Sequence, residues 1–183
     1  MRIFFELRVL HAGERLMPDR HAIEREGRGM FVIRVLGFFL MIAWLVLYAI
    51  NPIWIGLLTF PLPIWLRLLG FALGLASLGF WTWIQDSLGK EWSPQLQLRD
   101  KHHLVTTGPY TQIRHPLYAA LFVYMTSLAL LTANFVFAIL AVVVIAFFSI
   151  RVPKEEQMMI KEFGEEYKIY MQKTGRFFPK KAA

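Results

Sequence analysis

Residues 117–150 read LYAALFVYMTSLALLTANFVFAILAVVVIAFFSI, a run without one acidic or basic side chain between His115 and Arg151. It is too long for a single membrane-crossing helix. Thr132-Ala133-Asn134 divides it into Leu117 to Leu131 and Phe135 to Ile150, which read as a tight helical hairpin whose arms are near the short limit for crossing a bilayer. Toward the N-terminus the pattern repeats: no acidic or basic side chain lies between Arg34 and Arg67, and none between Arg67 and Asp86. Met30 to Ile50 would be about 31 Å long as a helix, which matches a hydrocarbon core of about 30 Å. Ile64 to Gln85 follows the breaker Pro61-Leu62-Pro63 and gives a second span. The expected fold is an all-α polytopic membrane protein with four to five transmembrane helices and a C-terminal helical hairpin. The fifth element is left open in Pro52 to Phe60, too short to cross unaided but able to dip in as part of a longer hairpin.

Composition agrees. Of 183 residues, 56% are hydrophobic and 18% charged, and the mean hydropathy is +0.45. That apolar load argues against a water-soluble globule and against disorder. The absence of cysteine removes disulfides, thiolate metal sites and a cysteine nucleophile, and leaves the redox compartment undetermined. Ile3-Phe4-Phe5 is interrupted by Glu6 and Arg8 before an apolar core forms, so the start does not read as a cleaved signal peptide.

The net charge of +7 is placed unevenly. Residues 1–29 carry six arginines, residues 86–114 carry Lys90, Arg99, Lys101 and Arg114, and residues from Arg151 onward carry eight more cations. All 13 acids fall in the same three segments, whereas residues 51–63 and 132–134 have no charge. Lys and Arg hold the flanks of spans on the cytoplasmic side. The chain is thus expected to be one multi-pass integral membrane domain. Residues 1–29 form a cytoplasmic segment, 30–85 the first helices, and 86–183 a core with hairpin 117–150 and a cytoplasmic tail. Gly70 and Gly74 make a Gly-x-x-x-Gly pair, the signature of close helix packing. No Gly-x-Gly-x-x-Gly follows a strand pattern, so a Rossmann nucleotide site has no support.

Two polar, aromatic segments flank the hairpin. The first runs from His102 to Tyr118. Gly108-Pro109 demands a turn there, and Pro116 suits the first turn of the next helix. Arg114 and His115 then stand at a helix entrance that favours negative groups of a ligand. The second begins at Arg151 and contains Glu155, one helical turn on, so both can face one cavity. Taken alone, Arg114 and Arg151 read equally as snorkelling phosphate anchors. Adjacent His102 and His103 point different ways and no carboxylate has metal-ligand spacing, so no metal site is expected. Met159, Phe163, Tyr167 and Tyr170 read as one amphipathic helix on the bilayer surface, with Lys161 and Glu165 a solvated pair on its other face.

The order of these motifs is distinctive: Leu104-Val105-x-x-Gly108-Pro109-Tyr110, then Arg114-His115-Pro116-x-Tyr118 opening the hairpin, then Arg151-x-x-x-Glu155-Glu156 and Phe163-Gly164-x-x-Tyr167 after it. Over about residues 90 to 179 this resembles the isoprenylcysteine carboxyl methyltransferase family, integral membrane enzymes that move a methyl group from S-adenosylmethionine to the carboxylate of a prenylated cysteine. The resemblance implies cofactor contacts at Gln95, His102, His103, Leu104, Val105, Tyr110, His115, Pro116, Leu117, Tyr118 and Glu155, with S-adenosylhomocysteine as product. It puts Arg151 near the acceptor carboxylate, and Arg151 and Glu155 are the expected catalytic pair. His103 stands where the eukaryotic pattern has a small hydroxyl residue, and the N-terminal half is shorter. Expected partners are a lipophilic acceptor entering from the bilayer and membrane lipids, not nucleic acid; oligomeric state is open. Two alternatives stand beside this expectation: a phospholipid amine N-methyltransferase, and a non-enzymatic scaffold with a basic cytoplasmic face.

Overall fold

In the computed structural model, residues 28–50, 58–88 and 104–180 are described; the remainder of the chain is not. The helices are α1 (Arg28–Ile50), α2 (Ile64–Leu88), α3 (Pro116–Thr132), α4 (Phe135–Phe163) and α5 (Glu165–Lys173), with a 3-10 turn at Gly108–Thr111. Among the described residues the only β pairing is two isolated bridges, so the architecture is all-α. The chain divides into two compact units. The described part of the first is α1, a continuous apolar helix beginning two residues before the expected span and ending with it. The second unit holds every other element.

Helix α2 starts where Pro61 and Pro63 stop blocking it, and Leu66 N–H closes its first turn on the Pro63 carbonyl at 3.0 Å. It runs three residues beyond the expected Gln85. Its glycine stripe lies against α3: a Cβ built on Gly70 would stand 2.8 Å from the Leu131 nitrogen and 2.9 Å from the Ser127 oxygen, and one on Gly74 would be 3.1 Å from Ser127 Oγ. Arg67 donates from Nε to the Leu131 carbonyl at 3.0 Å, satisfying an end carbonyl of α3. Gly70→Ala is therefore expected to force α2 and α3 apart and to cost about 1–3 kcal/mol, read as a lower thermal midpoint in detergent. Gly79→Ala is the control, because a Cβ there meets nothing within 4 Å.

The hairpin turns where Thr132-Ala133-Asn134 predicts. Ala133 is left-handed at φ 49°, and the side chain of buried Asn134 accepts from Val136 N–H at 3.0 Å, capping α4. The end of the undecided segment 52–60 is pinned to this turn. Phe60 N–H donates to the Ala133 carbonyl, Phe135 N–H donates to the Leu58 carbonyl, and the Phe60 and Phe135 rings lie 4.9 Å apart. Residues 51–57 lie outside the described part.

Two expectations are corrected beyond Ile150. The second arm of the hairpin does not end at the expected Ile150: residues 151–163 continue α4 through Pro153, 29 residues in all, about 44 Å. The apolar part of α4 ends at Ile150, and the charged remainder continues as the same helix. The stripe from Met159 to Tyr170 is not one surface helix either. Gly164, at φ 56°, ends α4 and begins α5, and Tyr167 and Tyr170 are buried. Glu165 pairs with Lys168 at 2.5 Å rather than with Lys161. Helices α2 and α4 are long and apolar enough to cross a membrane. Their outer faces carry Phe71, Leu75, Ile139, Val142 and Ile150, each more than half exposed, an apolar surface suited to lipid. Together with the structural likeness given below, this is the architecture of an all-α membrane protein.

Candidate active site

The site is assembled by the 3-10 turn, the start of α3, the charged extension of α4, and the chain after α5. Gly108 permits the turn by its left-handed φ of 58° and by its closeness to the Ser87 side chain at the end of α2. Ile113 N–H returns to the Pro109 carbonyl at 3.2 Å. Pro116 occupies the first turn of α3 and is buried, with His115 at the N-cap, so the expected helix start is met.

His115 lies flat on Tyr118, ring centroids 5.7 Å apart and planes within 5°. Tyr118 packs on Phe148 of α4 at 4.7 Å. Its hydroxyl donates to Glu155 Oε1 at 2.6 Å, and the same oxygen accepts from Arg151 Nε at 2.7 Å. His115 Nδ1 faces Glu155 Oε2 at 3.8 Å. Four residues from opposite sides of the hairpin thus converge within one helical turn of α4. Pro116 and Leu117 are carried along by the first turn of α3.

The neighbouring acid does something else. Adjacent positions on a helix diverge by about 100°, so Glu156 points away from Glu155 and is buried, its side chain 4% exposed. It accepts from Arg114 Nε at 3.0 Å and from the Arg176 guanidinium at 2.5 Å, while His115 Nε2 stands 3.5 Å away. Burial alone would push the Glu156 carboxyl up. His115, Arg176 and Arg114 together outweigh it and hold the group down at about 2. Arg114 also donates to the Met171 and Thr174 carbonyls. It is therefore neither a ligand-facing group at the helix entrance nor a lipid anchor, but an internal tie between α3, α4 and α5.

Expected contact residues fare unequally. His115, Tyr118, Arg151 and Glu155 are brought together. Tyr110 is held differently, its carbonyl accepting from Tyr170 Oη–H at 2.6 Å. Burial pushes the Tyr170 phenol up to about 12 against the pull of Arg114, so it remains a donor at neutral pH. Leu104 and Val105 are half-buried in irregular chain leading to the 3-10 turn. Gln95, His102 and His103 lie outside the described residues. Sequence reasoning quoted Glu156 only as half of an acidic doublet and missed Arg176 and Phe177; the doublet itself, with its 100° divergence, was the available signal.

The arrangement offers a flat aromatic floor, a carboxylate edge and a buried arginine. His115 Nε2 is buried, 3.5 Å from Glu156 Oε1 and with no closer polar partner among the described residues. Such a floor and edge suit a ligand with a planar ring and a positive charge.

The chain is 37% identical over 83 residues to a protein-S-isoprenylcysteine O-methyltransferase of Schizosaccharomyces pombe, covering 44% of this chain and 35% of that one. It is 39% identical over 78 residues to protein-S-isoprenylcysteine O-methyltransferase B of Arabidopsis thaliana, covering 42% and 40%. The chain thus spans well under half the length of these relatives. A solved structure of a eukaryotic intramembrane Ras methyltransferase superposes with a TM-score of 0.59 at 20% identity, over 84% of this chain and 53% of the other, a likeness of fold. Residues 68–161 match the isoprenylcysteine carboxyl methyltransferase family profile. Because that match takes in just over half of the chain, including the helices that join Tyr118 to Glu155, the chain belongs to the isoprenylcysteine carboxyl methyltransferase family.

Proposed function

We propose that the protein is an S-adenosylmethionine-dependent methyltransferase acting at the cytoplasmic face of a membrane. Its acceptor is the carboxylate of an isoprenylated cysteine or of a similar small lipidic acid. The observation that carries this is the closure of Tyr118 Oη on Glu155 at 2.6 Å, with Arg151 on the same oxygen. That junction lies beyond Ile150, past the apolar part of α4, where a water-soluble donor and a lipid-dissolved acceptor can meet. Distribution of Lys and Arg along the sequence supports the cytoplasmic side and a multi-pass topology.

S-adenosylmethionine supplies an electrophilic methyl group when bound. His115 and Tyr118 offer it the ring surface, and Glu155 the negative charge that favours its cationic part; Gln95, His102, His103, Leu104, Val105, Tyr110, Pro116 and Leu117 complete the proposed pocket. Arg151, its guanidinium plane fixed by Glu155, orients the acceptor carboxylate. A carboxylic acid of pKa about 4 is already ionised at neutral pH, so no residue need act as a base. The chain's contribution is alignment and exclusion of water, effects worth up to about 7–11 kcal/mol for well-oriented reactants.

The test is a methyl-transfer screen on detergent-purified protein with labelled S-adenosylmethionine, comparing a small prenylcysteine mimic with phospholipid and fatty-acid acceptors. Saturable donor binding and transfer to the prenylcysteine mimic are expected. Transfer confined to a phospholipid amine overturns the acceptor, and a folded sample that binds no donor leaves only a basic membrane scaffold.

A further inference from the structure

The chain after α5 returns to the site as a strap. Arg114 N–H donates to the Gly175 carbonyl at 2.8 Å, His115 N–H to the Arg176 carbonyl at 3.0 Å, and Gly175 N–H to the Gln112 carbonyl at 3.0 Å. This is a short parallel pairing centred on Ile113 and Gly175. Phe177 then packs on His115 at 6.2 Å and on Phe122 at 5.1 Å. From the same strap the Arg176 guanidinium grips both oxygens of Glu156, with Nε 3.3 Å from one and a terminal nitrogen 2.5 Å from the other. The oxygen nearer Nε is the one that faces His115 Nε2 at 3.5 Å. Arg176 itself touches neither His115 Nε2 nor Glu155 in any hydrogen bond among the described residues.

We infer that Arg176 is a positioning residue for the donor pocket: by clamping Glu156 from the strap, it fixes the His115 ring flat on Tyr118. The inference rests on the proposed role of His115 in holding the donor. The physical argument is one of degrees of freedom. His115 has no side-chain cap bond and no hydrogen bond at Nε2. Its orientation is therefore set by stacking and by the two carboxylates on either side. Of these, Glu155 is fixed by Arg151 on its own helix and by the Tyr118 hydroxyl, whereas Glu156 is fixed by Arg114 and by the fork that the strap brings. Removing the fork leaves Arg114 holding one oxygen and lets the carboxylate turn. Part of Arg176 is exposed, its side chain 44% accessible, so its loss leaves no buried charge of its own and the fold can survive it.

The test measures S-adenosylhomocysteine binding by titration calorimetry together with the His115 ring resonance by NMR, identified by its loss in His115→Asn. Arg176→Ala is expected to weaken binding about tenfold and to move and broaden the His115 resonance. Arg176→Lys, which restores a point charge without the fork, should recover little of that affinity; full recovery would show that charge, and not the clamp, is what Arg176 supplies. In a Glu156→Gln background Arg176→Ala should add no further loss, because the two residues act as one unit. If Arg176→Ala does not purify folded, Arg176→Gln serves in its place. A role in folding alone would lower the thermal midpoint but leave both the affinity of folded protein and the His115 resonance unchanged, and that result overturns the inference. Wild-type protein that binds no S-adenosylhomocysteine defeats the donor reading instead; the ring resonance still decides whether Arg176 positions His115.

Discussion

Glu155→Gln is expected to lower kcat/KM by on the order of 10²- to 10³-fold, about 3–4 kcal/mol in transition-state terms, measured by methyl transfer in detergent. One carboxylate oxygen serves two donors from different helices, Tyr118 Oη–H at 2.6 Å and Arg151 Nε–H at 2.7 Å. An amide of the same size can still accept from both through its one carbonyl oxygen. It brings no negative charge to the guanidinium, which is buried with its side chain only 6% exposed, and taking a countercharge from a buried cation is expensive. Tyr118→Phe removes a single neutral donor and leaves the ion pair, so it should cost only about 0.5–1.5 kcal/mol. The order of the two variants is the point of the measurement. A Tyr118→Phe loss as large as that of Glu155→Gln would mean that the hydroxyl, rather than the charge, carries the site.

For Glu156→Ala the expected loss is in the fold itself, about 3–5 kcal/mol, because Arg114 would be left buried opposite an empty space. Acid should mimic the change. The carboxyl is depressed from 4.5 to about 2 in the folded protein. Its stabilisation is therefore complete above about pH 4.5 and is lost as the pH falls toward 2, a difference of about 3 kcal/mol. Thermal midpoints followed from pH 5 down to pH 2 should fall more steeply for wild type than for Glu156→Gln. Parallel curves would show that Glu156 does not couple the fold to acid.

What the sequence made legible is local. Long uncharged runs, the Pro61 and Pro63 stop, and the Thr132-Ala133-Asn134 turn each signal structure within a few residues, and the helix boundaries beside them were met closely, save the far end of α4, which runs thirteen residues past Ile150. The pairing of Arg151 with Glu155 was legible for the same reason, since one helical turn separates them. Tyr118 opposite Glu155 came from the order of motifs rather than from spacing. Arg114 was misjudged because its partners, Glu156, Met171 and Thr174, are 42 to 60 residues away, and no periodicity reports a contact of that range. The aromatic stripe from Met159 to Tyr170 misled because spacings of three and four suit a single helix whether or not a glycine such as Gly164 interrupts it. Arg176 carried no signal at all, since a lone arginine in a basic tail looks like a solvated one.

The strap has a consequence for how the molecule is made. Helices α3 and α4 are joined by a two-residue connection, Ala133-Asn134, and can associate as soon as both have emerged from the ribosome. The backbone of residues 112–115, by contrast, waits for hydrogen-bonding partners translated about sixty positions later, and contacts that distant in sequence form slowly. Nascent chains arrested before Thr174 should therefore carry a hairpin whose entry at residues 112–115 still lacks its backbone partners, and S-adenosylhomocysteine binding should appear only once Gly175 and Arg176 are in place.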